Sequence, residues 1–249
     1  MGYAAPQVVE GQPREGLPYG LFSAFSFRTS ADEHWANGIE WEALSCDPAQ
    51  IFEDPDCDDT LTNVYSTSQQ GSAPSVTVVG SHKCGTPGGR ADVQAQEKAT
   101  THLLSQEQTA VETHIWGRLA ADPALVTLSN APTLLEAIAE LEQYGGDVFK
   151  GRFLIHGSRR AISRLGDEVH SMGGKLYTNL DTQLVAGAGY GGGSPNLTLY
   201  ATPAFFGYRG PVFNQTLVDP KLNDAYALAQ RSYVVGWDPC PIAEITATA

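Results

Sequence analysis

The sequence predicts an α+β fold, and three observations carry that prediction. Residues Ala91 to Ala121 contain no Pro and one late Gly, Gly117, and are rich in Ala, Gln and Glu, so they predict one long helix. Between Pro132 and Val185 helical and strand patterns alternate, which predicts a compact α/β unit. From Leu197 onward the pattern is mostly strand.

The elements follow in order. Residues Met1 to Thr29 carry Pro6, Gly11, Pro13, Gly16, Pro18 and Gly20 and keep neither period, so they predict an extended arm. Phe25 and Phe27 alternate with serines there, as in a short strand that packs on something else, in the same chain or another. Ile39 and Trp41 alternate with Glu40 and Glu42, a half-exposed strand. The acidic stretch Asp47 to Asp59 follows, and Ser75 to Val79 reads as the returning strand of a long β-excursion with little core.

The helix Ala91–Ala121 would span roughly 46 Å, with Val93, Leu104, Val111, Ile115 and Leu119 on its buried side. Asp122-Pro123 stops it. A second helix runs from Pro132 to Tyr144 and ends at Gly145-Gly146. Phe153 to His156 is a buried strand, and Ser158 to Met172 a third helix with Ile162, Leu165 and Val169 on one face. Short strands at Leu176–Thr178 and Gln183–Val185 lead to the loop Gly187–Gly193. Strands then cover Leu197–Tyr200, Phe205–Tyr208 and Val212–Phe213; Asp224–Trp237 has helical composition in its first half and strand composition in its second and is read as one long strand, and Ile242–Thr246 is the last.

The chain has 249 residues, 42% of them hydrophobic, and a net charge of −13. That apolar share supports a packed core. No apolar run approaches the length of a membrane span, and Met1–Pro18 has no signal-peptide pattern. The expected compartment is therefore cytosolic, with reduced thiols. The acidity is concentrated: Met1–Gly80 holds 12 Asp and Glu against 2 Lys and Arg. Such a chain is poorly suited to gripping nucleic acid or anionic membranes. The dense basic cluster is Lys150, Arg152, Arg159, Arg160 and Arg164, which suits either phosphate or the acidic block of another subunit.

Patterns that could carry chemistry are incomplete. Gly187, Gly189 and Gly192 match G-x-G-x-x-G, but no helix pattern follows to hold a pyrophosphate. Asp54, Asp56, Asp58 and Asp59 start like a calcium loop, yet Asp59 stands where Gly is needed and Tyr65 where Glu is needed. Cys46, Cys57, Cys84 and Cys240 contain no C-x-x-C pair. A zinc site from Cys46, Cys57, His82 and Cys84, or a Cys46–Cys57 bridge, can be drawn but is poorly supported by spacing. His156-Gly157-Ser158 joins a strand to a helix, where α/β enzymes place catalytic groups. Ser158 equally suits a helix N-cap, and no nucleophile elbow surrounds it. The sequence thus predicts no catalytic residue, cofactor or metal.

The order of parts resembles the HK97-type major capsid protein of tailed phages, a fold shared with encapsulin shells. The resemblance is architectural and covers nearly the whole chain. It implies an N-terminal arm over residues 1–33, an E-loop hairpin with flanking strands over 34–90, and a spine helix over 91–121. It further implies an axial domain over 122–203 and C-terminal strands returning to the peripheral domain over 204–249. The implied role is a self-assembling, non-enzymatic shell subunit forming pentamers and hexamers around DNA, built in the host cytoplasm and resident in the virion. The implied partners are further copies of the chain, with scaffolding, portal and decoration proteins, and only weak contact to DNA. An accessory virion protein, an encapsulin-like cargo shell and an α/β enzyme are the alternatives. Candidate inter-subunit contacts are Phe25, Phe27, Asp54, Asp56, Asp58, Asp59, Arg152, Arg159, Arg160, Arg164 and Tyr190. The chain lacks the family's long helical scaffolding segment, so scaffolding would be separate or already removed. The Lys–Asn crosslinking residues of one branch are not matched.

Overall fold

The computed structural model describes residues 16–29, 33–43, 45–47, 68–84, 90–191, 197–219, 221 and 224–248. These divide into two compact units: the described residues within 79–107 and 212–230, with residue 16, form one, and those within 17–78, 108–211 and 231–248 the other. In chain order the elements are α1 (Leu21–Ala24), β1 (Ile39–Ala43), β2 (Gln69–Ala73), β3 (Ser75–Cys84), α2 (Arg90–Ala120), β4 (Val126–Thr127) and α3 (Leu134–Val148). There follow β5 (Phe153–Ser158), α4 (Arg159–Ser163), β6 (Val169–Met172), β7 (Lys175–Thr178), β8 (Gln183–Gly187) and β9 (Leu197–Pro203). The chain ends with β10 (Phe205–Arg209), β11 (Phe213–Asp219), β12 (Asp224–Trp237) and β13 (Ala243–Ala247).

The long helix α2 has 31 residues, as its composition predicts. Its buried line is Ala95, Ala99, Leu103, Glu107, Val111, Ile115 and Leu119, one residue in every four. Four residues turn the helix by about 400°, so the line winds by roughly 240° from end to end. The face buried near Ala95 is therefore not the face buried near Leu119. This corrects the expected stripe: Val93 and Leu104 are exposed, and alanines take their place. The reason is close packing by the strand β3. A Cβ on Gly80 would stand 2.4 Å from the backbone nitrogen of Leu103 and 2.5 Å from the carbonyl oxygen of Ala99. Only a residue without Cβ on the strand, against small residues on the helix, permits that approach. Gly80→Ala is expected to destabilise the protein by about 1–3 kcal/mol, read as a lower urea midpoint, because backbone atoms must move apart.

In the smaller unit, Gln96 Nε2 donates to Thr216 Oγ1 (2.7 Å) and Thr100 Oγ1 donates to Asn214 Oδ1 (3.0 Å). These bonds hold the first half of α2 on β11. Strand β11 is paired antiparallel with residues Asp224–Gln230 of β12. The Tyr233–Trp237 end of β12 pairs antiparallel with β10, in the larger unit. The sequence-predicted long strand at Asp224–Trp237 is thus present along its full length.

The larger unit is built on a seven-stranded mixed sheet, in the order β4-β13-β9-β5-β8-β7-β6. Ile155, Leu184, Leu199, Ala201 and Ile245 from its central strands pack with Ala137, Ile138 and Leu141 of α3 and with Ala161 and Ile162 of α4. Thr133 caps α3, accepting from the backbone N–H of Glu136, as its residue type suits.

Three predicted elements are corrected. Helix α3 does not stop at Gly145-Gly146. It runs on to Val148, and Gly145 is kept bare by the Phe153 ring, 2.4 Å from where a Cβ would sit. The third helix is only Arg159–Ser163. Gly166 takes φ +57°, and Val169–Met172, predicted as helix, forms strand β6 instead. The residues around Phe25 are not a strand; the short helix α1 precedes them, and Arg28 makes a single parallel bridge to Tyr208. The last strand, expected at Ile242–Thr246, is present as β13 and pairs with β9 and β4 in the seven-stranded sheet.

Candidate functional site

The surfaces on which another subunit could act begin with the arm. Residues 17–29 are bound to their own chain. Leu21 is fully buried, and its N–H donates to the carboxylate Oε1 of Glu112 at 2.9 Å. Gln108 Nε2 donates to the same oxygen at 2.9 Å, and Gly189 N–H donates to Oε2 at 2.9 Å. Glu112 is itself wholly buried. One carboxylate on α2 therefore fastens both the arm and the turn after β8. Tertiary folding, not local sequence, brings these donors together, and no spacing signals the hub.

Phe25 and Phe27, expected as hooks for another subunit, join an intrachain aromatic cluster. Phe27 lies 5.7 Å from Tyr233 and 5.0 Å from Phe22, and Phe25 lies 6.4 Å from Phe205, between ring centroids. Tyr190 is corrected outright. It is 1% exposed, stacks on Trp116 at 4.9 Å, and is a core residue. Asp54, Asp56, Asp58 and Asp59 lie outside the described residues, as does Cys57.

The basic cluster is partly used. Arg159 donates to the carbonyl of Pro18 at 2.8 Å, another tie to the arm. Arg152, Arg160 and Arg164 are exposed. Arg159 and Arg160 border a cleft of about 540 Å³ whose walls include Tyr19, Ile162, Val169 and Leu176.

The β-excursion has a defined root. Strands β1 and β2 pair antiparallel, from Ile39 opposite Ala73 to Ala43 opposite Gln69. Trp41 anchors this hairpin: its Nε1 donates to Asp238 Oδ1 at 3.2 Å, and its ring meets Phe206 edge-on at 4.8 Å. The ring also fills the space where Gly71 and Gly236 lack a Cβ. Beyond it, Cys46 is disulfide-bonded to Cys240, with 5.8 Å between Cα atoms. That replaces the Cys46–Cys57 bridge drawn from sequence, because the fold brings together residues 194 apart. Cys46 is then no zinc ligand, and among the described residues no three His, Cys, Asp or Glu side chains cluster to hold a metal.

The smaller unit leaves Val79, Val93, Leu104, Phe213, Leu217 and Val218 exposed. Of these, Val93 and Leu104 are expected on the buried side of the long helix from their spacing. Only burial shows that they are left for something else.

The candidate catalytic pair is structural. His156 is fully buried. Thr202 Oγ1 donates to the carbonyl of Pro203, so it accepts from His156 Nε2 (2.9 Å), and His156 Nδ1 accepts from Tyr190 Oη (3.1 Å). Burial pushes the imidazole pKa down to about 3. Ser158 Oγ accepts from Ala161 N–H as the N-cap of α4, as its place at a helix start suits. No helix among the described residues is long and apolar enough to cross a membrane.

No family model matches the chain, and no curated protein matches it in sequence. Solved structures do. A chain of the bacteriophage PhiM1 mature capsid is 12% identical with a TM-score of 0.50, over 98% of this chain and 92% of that one. A chain from Mycobacterium phage Che8 is 11% identical with a TM-score of 0.58, over 98% and 97%. A chain of the virus-like particle from Pyrococcus furiosus is 13% identical with a TM-score of 0.57, over 91% of each. The chain has the HK97-type fold.

Proposed function

We propose that this chain is a shell subunit, the major capsid protein of a tailed phage, which assembles with copies of itself into pentamers and hexamers of an icosahedral head enclosing DNA. The observation that carries this reading is the end-to-end match to the PhiM1 mature capsid chain, which leaves almost no residue of either chain outside the shared fold. Residues 1–33 would be the arm, 34–90 the E-loop and its flanking strands, 91–121 the spine helix and 122–203 the axial domain. Residues 204–242 would return to the peripheral domain. The last strand, β13, goes with the axial domain, since β9 is its partner. Assembly takes place in the host cytoplasm, with scaffolding, portal and decoration proteins as further partners. The role is structural and not catalytic.

Two surfaces support the reading. The exposed apolar side chains of the smaller unit, Phe213 and Leu217 among them, are of the kind that large obligate interfaces cover. The exposed Arg152, Arg160 and Arg164 suit the acidic segment carrying Asp54, Asp56, Asp58 and Asp59 on a neighbouring subunit. Heterologous contacts of this type close into rings.

Negative-stain microscopy of the purified chain tests the function. Closed shells, or rings of five or six, are the expected result. A chain that stays monomeric when co-expressed with the neighbouring genes of its source would overturn it. An encapsulin-like cargo shell is the second reading, favoured by the match to the Pyrococcus furiosus particle. Packaged protein in place of DNA inside the shells would select it.

Arm truncation separates assembly from folding. Deleting residues 2–15 is expected to leave the folded chain intact and prevent shells. Deleting residues 2–29 is expected to unfold the larger unit, since Leu21 and its bond to Glu112 belong to that core. Circular dichroism and sedimentation velocity read the two effects. Normal shells from the shorter deletion would refute the role of the arm.

A further inference from the structure

The Cys46–Cys240 disulfide closes at a joint. Cys46 lies just beyond β1, at the root of the hairpin, and Cys240 lies in the turn between β12 and β13. Their Cα separation of 5.8 Å falls within the range a disulfide spans. Two residues before Cys240, Asp238 already accepts the Trp41 hydrogen bond from the same hairpin. The root is therefore held twice, once by the Trp41 contacts and once by a bond that a thiol can break. Cys240 borders a surface cleft of about 410 Å³, with Gln70, Gly71 and Ser72 of β2 on one side and Trp237 and Pro239 on another. The bond thus lies beside a solvent-open cleft, with Cys240 itself 8% exposed.

We propose that Cys46–Cys240 is a redox latch on the hairpin root, open in the reducing cytosol where the chain folds and closed after exposure to an oxidising medium. The Trp41 contacts alone hold the root while the thiols are reduced, so the hairpin can be adjusted during assembly. Closure then fixes its direction. The oxidant is a small-molecule disulfide such as glutathione disulfide. One cysteine thiolate attacks it, forming a mixed disulfide and releasing one glutathione. The second cysteine thiolate attacks the mixed disulfide, forming the Sγ–Sγ bond and releasing the second glutathione. The two cysteine protons end on the two glutathione thiols, and excess reduced glutathione reverses both steps. In cytosol the reverse direction prevails. The consequence for an assembled particle rests on the shell-subunit reading, whereas the latch in the single chain does not.

The test uses the full chain, reduced with dithiothreitol and then transferred to buffer containing glutathione disulfide. Peptide mapping under non-reducing conditions is expected to show the Cys46 peptide joined to the Cys240 peptide. The oxidised protein is expected to melt roughly 10 °C above the reduced protein, because the bond closes a long loop. Amide exchange at Ile39–Ala43 and Gln69–Ala73 is expected to slow at least tenfold. Cys46→Ser is expected to match the reduced parent in melting and to show no response to oxidation. Cys240→Ser is expected to do the same, and it stands in if the first variant folds poorly. Joining of Cys46 to Cys57 or Cys84, or no joining, would overturn the latch. So would unchanged exchange at the hairpin root despite a higher melting temperature. None of these outcomes depends on particles forming, so failure of the latch and failure of the shell reading are separately visible.

Discussion

Replacing Glu112 by alanine is expected to destabilise the protein by about 4 kcal/mol, read as a lowered urea midpoint with an unchanged slope. The side chain is fully buried and accepts from three N–H groups: those of Leu21 and Gly189 and the amide of Gln108. Alanine leaves the two backbone donors without that partner, that of Leu21 buried away from water and that of Gly189 part-buried, and opens a cavity between the arm, α2 and the turn after β8. An unpaired buried donor costs about 1–3 kcal/mol. Glu112→Gln keeps the volume but puts an NH2 group where an oxygen accepted, so about half of the loss is expected. Limited proteolysis in both variants is expected to cut within residues 17–29, the segment released first. A Glu112→Ala protein within 0.5 kcal/mol of the parent would show that the arm is held by its aromatic contacts alone.

The second large effect is loss of stability in acid. His156 is buried among Tyr190, Thr202 and Phe205, and burial lowers its pKa from 6.5 to about 3. Above pH 6.5 the imidazole is neutral in both folded and unfolded chains, so it makes no pH-dependent contribution. Below pH 6.5 the unfolded chain takes up a proton that the folded chain refuses. Stability therefore falls by about 1.4 kcal/mol per pH unit from pH 6.5 down towards pH 3. Between pH 6.5 and pH 4 the expected loss from this one group is about 3 kcal/mol. His114, lowered by its own burial and then by Arg118, adds in the same direction. Urea unfolding at stepped pH, compared between the parent and His156→Asn, isolates the effect. The variant is less stable at neutral pH because Tyr190 and Thr202 lose their partner, but its slope below pH 6.5 is expected to flatten. Parallel slopes would assign the acid sensitivity to other groups.

These two residues show what could be read in advance. His156-Gly157-Ser158 was legible as a strand-to-helix junction, and Ser158 as a cap, because both depend on neighbours in the chain. The partners of His156 were not legible, because Tyr190 and Thr202 lie 34 and 46 residues away. Glu112 left no trace at all. On a helix rich in Glu and Gln it looks like one more exposed charge until the arm and the turn fold over it.

The same division applies to packing. Propensity and punctuation located α2 within a residue at each end, since it is a long run of local preference, whereas only the second half of β12 has strand composition and pairing with β11 makes its helix-like first half a strand. The face of α2 was misjudged because side-chain size was taken to mark the core. Where β3 comes close enough for Gly80 to touch the helix backbone, Ala95, Ala99 and Leu103 are the buried residues and Val93 is left outside. Helix α3 passed through two glycines because packing of the Phe153 ring on Gly145 outweighs the weak helix propensity of glycine.

By itself, the sequence determined the α+β class, the long helix, the order of parts and the acidic balance. Each of these is a property of composition or of residues a few positions apart. The tertiary structure alone decided the Cys46–Cys240 pairing, the Glu112 hub, the burial of Tyr190 and the entry of β13 into the seven-stranded sheet. Each of those joins residues far apart in the chain. Local conformational preferences act over a few residues, whereas burial and hydrogen-bond satisfaction act on whatever the folded chain brings together.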